Sequence, residues 1–171
     1  MGQHARTPPE ILRAAGIEFV LHQHVPVATV ADIVLALPFP AEQHVKTLAF
    51  AADGRVALAA LRGSDRLQFG KLARALGVAR DRVSPLSAER VERELGLQPG
   101  GVCPLVGADG AVVLVDARVL ALPRAFCGSG RNDATLELDP GDLVAAAGAV
   151  VVDLAAPDTR ACDDPSQASG P

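Results

Sequence analysis

The sequence contains a basic side chain whose type and position could bind an anionic group. All but two of its sixteen Lys and Arg residues are arginines, and the lysines are Lys46 and Lys71. Because lysine is a compact point charge and arginine a planar fork, a site that needs the first cannot accept the second. Lys46 begins a predicted strand, where alternation places it on one face with Leu48 and Phe50. Such a charge lies either at the mouth of a pocket or at a strand end, extended into solvent.

Two glycine-bearing segments could bring backbone amides close to a ligand. Residues 100–104 read Gly-Gly-Val-Cys-Pro, where glycine leaves N–H groups bare enough to approach a carbonyl or to stabilise an oxyanion. Residues 128–131 read Gly-Ser-Gly-Arg after a predicted strand, and combine amides with a guanidinium suited to an anionic group. Each segment taken alone is equally consistent with an ordinary turn.

Most other catalytic and ligand-binding patterns are absent from the sequence. It has no GxxxxGK(S/T) or complete GxGxxG fingerprint for a nucleotide, and no GxSxG or HExxH motif for a hydrolase. His22 and His24 could bind a metal together with His44, or could lie exposed at a sheet edge. Cys103 could be a nucleophile, but we expect a buried thiol because no His or Lys lies near it in sequence. We therefore expect neither a metal nor another cofactor.

The composition restricts the function classes that the chain can serve. Its 171 residues, 49% hydrophobic and 21% charged, suffice for one domain with a sizeable core. A net charge of -4 argues against a general binder of polyanions, and 3% aromatic residues argue against a base-stacking surface. Three cysteines without a CxxC pair indicate reduced thiols, and no apolar run approaches the ~20 residues that span a bilayer. We expect a soluble, cytoplasmic protein without membrane contact.

Helix and turn signals outline the elements that must position these residues. Thr7 with Glu10 forms a capping box, and Thr29, Ser87 and Asp139 are expected to start three further helices. Asp53-Gly54 predicts a tight hairpin, because a type I′ turn needs positive φ at both central residues. One more helix is expected after Ser64-Asp65 and before Gly77. Seven strands are expected, over residues 17–22, 45–51, 55–61, 111–115, 124–127, 135–138 and 149–154.

The order of these elements indicates the fold class. Helices and hairpins are interleaved without strict βαβ alternation, which favours an α+β domain with a mixed sheet. We place the domain at residues 1–157. Residues 158–171 are polar and lack apolar periodicity, so we expect a flexible C-terminal tail there.

The ordered set of motifs resembles the YbaK/prolyl-tRNA-synthetase-associated editing domain family. The set comprises Lys-Thr-Leu-x-Phe at 46–50, Lys-Leu-Ala-x-x-Leu-Gly at 71–77, Gly-Gly-x-x-Pro at 100–104, a strand ending in Asp116, Gly-x-Gly-Arg at 128–131 and Leu-Glu-Leu-x-Pro-x-Asp-Leu at 136–143. The match runs over residues 7–154. It implies a mixed six-stranded, barrel-like sheet with flanking helices, and an activity that hydrolyses the ester bond of mischarged aminoacyl-tRNA in trans.

The same resemblance assigns roles to individual residues. Lys46 matches the family's functional lysine, which holds the 3′-terminal phosphate region of the tRNA acceptor end. The loop that orients the aminoacyl group corresponds to Gly100, Gly101 and Pro104. The other wall of the pocket corresponds to Asp116, Gly128, Ser129, Gly130 and Arg131.

The resemblance leaves three points open. Alanine-directed relatives carry a His in the segment that here spans residues 128–133, and this chain has none there. The edited amino acid and the tRNA therefore stay undetermined. A non-catalytic module that binds an acceptor end or a synthetase is the alternative to a deacylase on the same fold. A synthetase or an elongation factor is the expected additional partner, because an acidic chain with few phosphate contacts should bind tRNA weakly.

Overall fold

The computed structural model describes residues 6–37, 39–107 and 111–157. Over these ranges the chain forms five α helices and eight strands. The helices are α1 (Pro8–Ala14), α2 (Val30–Ala36), α3 (Phe69–Leu76), α4 (Ala88–Leu95) and α5 (Pro140–Ala147). The strands are β1 (Val20–Gln23), β2 (His44–Ala52), β3 (Arg55–Arg62), β4 (Val83–Pro85), β5 (Val112–Asp116), β6 (Ala125–Gly128), β7 (Ala134–Leu138) and β8 (Val150–Val152).

All eight strands join one mixed sheet in the order β1-β7-β6-β2-β3-β5-β8, with β4 paired to β2. The pairs β2/β6, β3/β5 and β5/β8 are parallel, and the pairs β1/β7, β6/β7, β2/β3 and β2/β4 are antiparallel. The α+β class and the mixed sheet are thus confirmed. The described sheet has eight strands rather than the six that the family resemblance implied, and two of them, β4 and β8, are only three residues long.

The hairpin of β2 and β3 forms the centre of the sheet. Asp53 has φ 48° and Gly54 has φ 81°, the two positive values that a type I′ turn requires. The register runs from Ala52 opposite Arg55 to Val45 opposite Arg62. This hairpin, which the sequence predicts, fixes the position of Lys46 beside Leu61.

Helix caps explain most of the helix boundaries. The Thr7 amide donates to Glu10 Oε2 at 2.8 Å in the predicted capping box of α1. Thr29 caps α2, Ser87 caps α4 and Asp139 caps α5, as expected from the sequence. The structure corrects the start of α3, which begins at Phe69 rather than directly after Ser64-Asp65. The reason is that the Asp65 carboxylate accepts two hydrogen bonds from Arg62, at 2.8 and 2.9 Å, instead of capping a helix.

Five of the predicted strands agree with the structure to within one residue at each end, two are shorter than predicted, and one strand was not predicted. The strand expected over residues 17–22 lies at Val20–Gln23, and the one expected over 149–154 lies at Val150–Val152. The sequence did not predict β4, which pairs with β2 through Phe50, Ala51 and Ala52. Such short strands form because a partner strand is available, and they carry too few residues to show alternation.

Three apolar clusters pack against the sheet. The first includes Leu12 of α1 and Leu143 of α5, the second joins α3 to the sheet, and the third lies under Val91 of α4. Cys103 and Cys127 belong to the first cluster and are buried free thiols. Burial raises the pKa of the Cys103 thiol to about 12, which confirms the prediction of a buried thiol at this position.

The predicted tail at residues 158–171 lies outside the described residues, so its boundary with the domain stays a prediction. None of the helices in the described ranges is both long and apolar enough to cross a membrane.

Candidate functional site

A cavity opens beside β2 where one edge of this strand loses its partner. Along one edge β2 pairs with β3 from Val45 to Ala52. Along the other edge β6 pairs with His44 and Val45, and β4 pairs with residues 50–52. Residues 46–48 have no partner strand on this second edge within the described ranges. A cavity of about 220 Å³ lies there, bordered by residues 44–48 of β2 and by the ends of β6 and of the first glycine loop.

Lys46 is a half-buried cation of this cavity. Its Nζ donates to the carbonyl oxygens of Gly63, at 3.1 Å, and of Asp65. Burial lowers the pKa of the Lys46 ammonium, the Asp65 carboxylate works against this shift, and the nearby Arg66 adds to it. An ammonium has three donors, so the two carbonyls hold the side chain in place and leave one N–H for a ligand.

Glycines in the two predicted loops allow three backbone segments to touch. Gly100 has φ +85°, and a Cβ atom there would overlap the carbonyl oxygen of Val27. A Cβ on Gly101 would overlap the backbone of Arg131, and one on Gly128 would lie 2.5 Å from the carbonyl oxygens of Gly101 and Val102. The loops at 100–104 and 128–131 therefore pack directly against each other, which only glycine permits at these positions.

Two amides of the first loop are free, whereas the Gly130 amide of the second loop is bonded to the first loop. The Gly101 amide donates to the Gln98 carbonyl at 2.9 Å, and the Gly130 amide donates to the Gly101 carbonyl at 2.8 Å. Within the described part of the chain, the amides of Gly100 and Val102 donate no hydrogen bond, and both residues border the cavity with Lys46. The candidate donors to a ligand are thus Gly100 and Val102 rather than a nest in the second loop.

Only Gly128 of the predicted second loop borders the cavity with Lys46. Ser129, Gly130 and Arg131 instead border a separate cavity of about 500 Å³ beside α1. The Ser129 hydroxyl donates to the Ala134 carbonyl at 2.8 Å. The Arg131 guanidinium donates to the two Asp133 carboxylate oxygens at 2.8 and 2.6 Å, so its charge is already paired.

Asp116 and Pro104 are buried away from the Lys46 cavity. Asp116 Oδ2 accepts hydrogen bonds from the amides of Leu154, at 2.7 Å, and Ala155, at 2.9 Å, while Oδ1 accepts from Arg118 at 2.9 Å. Burial alone would raise the pKa of Asp116, but these amide hydrogen bonds outweigh it and lower the pKa. The carboxylate thereby ties the end of β5 to the segment that follows β8.

The three histidines do not assemble as metal ligands. His22 Nε2 lies 2.7 Å from Glu137 Oε2, and His24 Nε2 lies 3.0 Å from Thr135 Oγ1. No group of three or more His, Cys, Asp or Glu side chains placed to hold a metal occurs among the described residues. The metal alternative therefore has no structural support in this part of the chain.

Two further residues border the Lys46 cavity, although the sequence analysis gave them no role there. His44 and Thr47 both border the cavity, with only 2% and 9% of their surfaces exposed. His44 Nε2 and Thr47 Oγ1 have no hydrogen-bond partner among the described residues. Burial lowers the pKa of His44, so its imidazole is neutral at pH 7. The sequence analysis considered His44 only as a possible metal ligand and Thr47 only as part of the motif at residues 46–50.

The mixed sheet and its helices make this an α+β domain. The cavity at the open edge of β2 can hold a small anionic or carbonyl-bearing group. Residues 24–146 match the model of the aminoacyl-tRNA editing domain, and the chain belongs to this family. The match includes all of the residues that border the Lys46 cavity. The resemblance found in the sequence motifs is thereby confirmed.

Individual relatives agree with this assignment. The chain is 31% identical over 104 residues to proline–tRNA ligase of Streptococcus equi subsp. zooepidemicus (strain H70), a match that covers 61% of this chain and 16% of the length of that curated relative. The solved structure of hypothetical protein APE2540 superposes with a TM-score of 0.78 at 31% identity, over 86% of this chain and 98% of that one. A candidate trans-editing enzyme for prolyl-tRNA synthetase superposes with a TM-score of 0.72 at 27% identity, over 85% and 92% of the two chains.

Proposed function

We propose that this chain is a trans-editing aminoacyl-tRNA deacylase, which hydrolyses the ester bond between a wrong amino acid and its tRNA. The observation that carries this proposal is that Lys46 and the unbonded amides of Gly100 and Val102 border one cavity at the open edge of β2. Action in trans is supported by the domain-sized neighbours, since the chain covers 98% and 92% of two of them.

Lys46 holds the acceptor end in this proposal. Its remaining N–H donates to a phosphate oxygen of the terminal nucleotides, while the carbonyls of Gly63 and Asp65 keep the ammonium from turning away. A phosphate also favours the charged form of the amine, which offsets the lowering of the Lys46 pKa by burial. Anchoring the RNA in this way fixes the ester relative to the glycine loop.

The glycine loop stabilises the reaction centre. The amides of Gly100 and Val102 donate to the ester carbonyl oxygen and stabilise the negative charge that develops there. Gly128 closes the opposite side of the same cavity. A water oxygen attacks the carbonyl carbon, the bond from that carbon to the ribose oxygen breaks, and the ribose oxygen takes a proton from the attacking water. The products are the free amino acid and uncharged tRNA.

An activated ester requires little more than a fixed carbonyl, a positioned water and a donor to the oxyanion. Cys103 does not serve as the nucleophile, because its thiol is buried and its pKa is raised to about 12. Asp116 does not serve as the base, because three amides occupy its oxygens. The adjacent ribose hydroxyl, or the thiol of a cysteinyl substrate, assists the water in this scheme.

The remaining partners follow from the charge balance. Because the chain has a net charge of -4, it contacts few phosphates and binds tRNA weakly. A synthetase or an elongation factor therefore delivers the mischarged tRNA. Arg66 is close enough to Lys46 for its charge to lower the pKa of that amine, and it is a candidate for a second phosphate contact.

The test is a deacylation assay over a panel of tRNAs mischarged with different amino acids, with Lys46→Ala as the variant. The chain offers a matched control, because Lys71 is also half-buried and also donates to a carbonyl oxygen, that of Ala155, at 2.7 Å. Lys71 does not border the Lys46 cavity. Ester hydrolysis that Lys46→Ala loses and Lys71→Ala keeps supports the deacylase. Tight binding of mischarged tRNA without hydrolysis would instead identify the non-catalytic module.

A further inference from the structure

The first strand of the chain, β1, lies at one end of the sheet and pairs along one edge only. Its partner is β7, in a register that sets Leu21 opposite Leu136 and Gln23 opposite Ala134. In the described part of the chain, no strand pairs with the other edge of β1. An unpaired edge presents amide and carbonyl groups to which a further strand can bond.

The hydrogen bonds to β7 identify the backbone groups of β1 that face this open edge. The amide of His24, directly after β1, donates to the Asp133 carbonyl at 2.9 Å. In an antiparallel pair the bonded residues alternate along the strand, so the residues two and four positions before His24 also bond to β7. The amides and carbonyls of Leu21 and Gln23 therefore face away from β7 and are available to a further strand.

The same two residues border a large cavity. Leu21 and Gln23 both line the cavity of about 500 Å³ beside α1, here called the α1 cavity. Its floor is aliphatic, because Leu95, Leu97 and Leu105 border it and are buried. Directly opposite residues of paired strands place their side chains on the same face. A strand added at the open edge would therefore project alternate side chains from the positions opposite Leu21 and Gln23 toward the α1 cavity.

The rim of the α1 cavity carries more positive than negative side chains. Its cations are Arg6, Arg13 and Arg131, and its anions are Glu10 and Asp133. Arg131 is paired with Asp133 at 2.6 Å. The exposed Arg6 forms no ion pair or side-chain hydrogen bond with another described residue. In a chain whose net charge is -4, this rim is a local positive surface that favours a carboxylate.

We propose that an extended segment of a protein partner adds to the open edge of β1, inserts aliphatic side chains into the α1 cavity and places an acidic side chain at Arg6. Backbone hydrogen bonds to Leu21 and Gln23 supply affinity in this mode, and the pocket for alternate side chains supplies selectivity. A protein segment fits this surface better than RNA, because carboxylates stand at the rim and no Phe borders the cavity. This inference goes beyond the proposed function and does not depend on it.

The proposed docking surface and the Lys46 cavity lie on opposite faces of the sheet. In β7, Thr135 borders the Lys46 cavity, whereas its neighbour Ala134 borders the α1 cavity. Successive side chains of a strand project to opposite faces, which explains this division. A partner bound at β1 therefore leaves the Lys46 cavity accessible, and the chain can hold the partner and an acceptor end at the same time.

The probe for this surface is the peptide acetyl-Glu-Thr-Leu-Thr-Leu-Thr-Glu-amide. Both of its leucines and both of its glutamates lie on one face when the peptide is extended. A glutamate stands at each end, so one can reach Arg6 in either strand direction. Calorimetry measures the Kd of the peptide for the full chain. We expect at least ~10-fold weaker binding when alanine replaces both leucines, and likewise when lysine replaces both glutamates.

Two variants, each with a matched control, test the open edge and the rim. Gln23→Pro removes an amide that faces away from β7, so it blocks strand addition without removing a bond of the sheet. Gln23→Ala keeps this amide. Arg6→Glu reverses the charge at the rim, and its control is Arg80→Glu, because Arg80 is also exposed and does not border the α1 cavity. We expect Gln23→Pro and Arg6→Glu to raise the Kd at least ~10-fold, and both controls to change it less than ~3-fold.

Hydrogen exchange of single amides, followed by NMR, tests the binding mode without any substitution. The amides of Leu21 and Gln23 should exchange rapidly in the free chain and at least ~10-fold more slowly with the peptide bound. Unchanged exchange at both amides in the complex would overturn strand addition, as would an unchanged Kd in folded Gln23→Pro. Absence of peptide binding at millimolar concentration would overturn the proposal as a whole.

Three further results would assign the surface to another occupant and so overturn the proposal. N-acetyl-leucinamide that binds as tightly as the peptide would indicate a site for a small molecule. Displacement of the peptide by uncharged tRNA would indicate an RNA surface. Sedimentation that finds a dimer of the full chain, dissociated by Gln23→Pro but not by Gln23→Ala, would indicate that a second copy occupies the edge of β1.

Discussion

Gly128 packs so closely on Gly101 that a Cβ atom at Gly128 would lie 2.5 Å from the Gly101 carbonyl oxygen. The same carbonyl accepts the Gly130 amide at 2.8 Å, so the two loops form one backbone layer behind the Lys46 cavity. The orientation of the Gly100 and Val102 amides depends on this layer. A methyl group at Gly128 has only backbone to displace, and backbone yields less readily than a flexible side chain.

We expect Gly128→Ala to reduce deacylation by more than its loss of stability explains. Forcing the two loops apart should cost about 1–3 kcal/mol of unfolding free energy, and the displaced amides should lower kcat with a smaller effect on KM. Denaturant unfolding and steady-state kinetics measure the two effects. Gly70→Ala is the control, because Gly70 lies in α3 and a methyl group added there would have no neighbouring atom within 4 Å. Wild-type kcat in Gly128→Ala would contradict the role of the loop.

We expect Lys46→Ala to lower kcat/KM about tenfold to a hundredfold, since a hydrogen bond to a charged group contributes ~1.5–3 kcal/mol. Lys46→Arg should also be impaired, because a planar fork cannot donate to Gly63, Asp65 and a phosphate as a point charge does. The thermal midpoint of both variants should fall only slightly. Full activity in Lys46→Ala would remove Lys46 from the site.

Asp116→Asn should lower stability and leave kcat of the folded variant near the wild-type value. The pKa of Asp116 is lowered in the fold, so its carboxylate stabilises the protein above the ordinary Asp pKa of about 3.9. This stabilisation is lost as the pH falls through the lowered pKa. Unfolding free energies of the two proteins should therefore begin to converge below about pH 4 and meet once the pH lies below the lowered pKa of Asp116. A large loss of kcat at unchanged stability would instead place Asp116 at the substrate.

Cys103 should resist alkylation in the folded protein and react only on unfolding. Its thiol is fully buried, and its raised pKa of about 12 leaves almost no thiolate at pH 8. Iodoacetamide labelling followed by mass spectrometry, with and without denaturant, measures this difference. Cys103→Ala should keep kcat, and a loss of deacylation in that variant without a loss of stability would revive the nucleophile hypothesis.

The affinity for tRNA should depend only weakly on salt. Each phosphate contact contributes a slope of about -0.7 on single-stranded RNA, so two or three contacts predict a slope between roughly -1.4 and -2.1 in log affinity against log salt. An acceptor-stem minihelix should bind nearly as well as the whole tRNA. Dissociation constants measured between low and physiological salt decide the matter, and a slope near about -6 would show a broad RNA-binding surface.

Local signals predicted much of the fold. The Asp53-Gly54 turn and the caps at Thr7, Thr29 and Ser87 act within a few residues, so the sequence alone locates the elements that they begin or join. The predicted start of α3 was wrong. An aspartate at position 65 can either cap a helix or pair with a cation, and in the structure it pairs with Arg62.

The site was harder to predict from the sequence than the fold, because its residues come from segments that are far apart in the chain. Lys46 and Gly100 could be selected by residue type and motif order, and the structure brings both to one cavity. Whether Arg131 is free could not be predicted, because its pairing with Asp133 depends on the conformation of the loop. The unpaired state of His44 is a property of the packed interior, and no pattern of neighbours along the chain encodes it.

The segment that follows β8 also determines where a reporter group could be placed. Ala156 donates its amide to the Arg66 carbonyl at 2.7 Å, and Leu67 forms a bridge with Ala155, so this segment runs alongside the loop that holds Lys46. If the acceptor end binds at Lys46 as proposed, a fluorophore attached at Pro157 lies near it and reports its arrival and departure in real time. An affinity tag joined at the same point would crowd that approach.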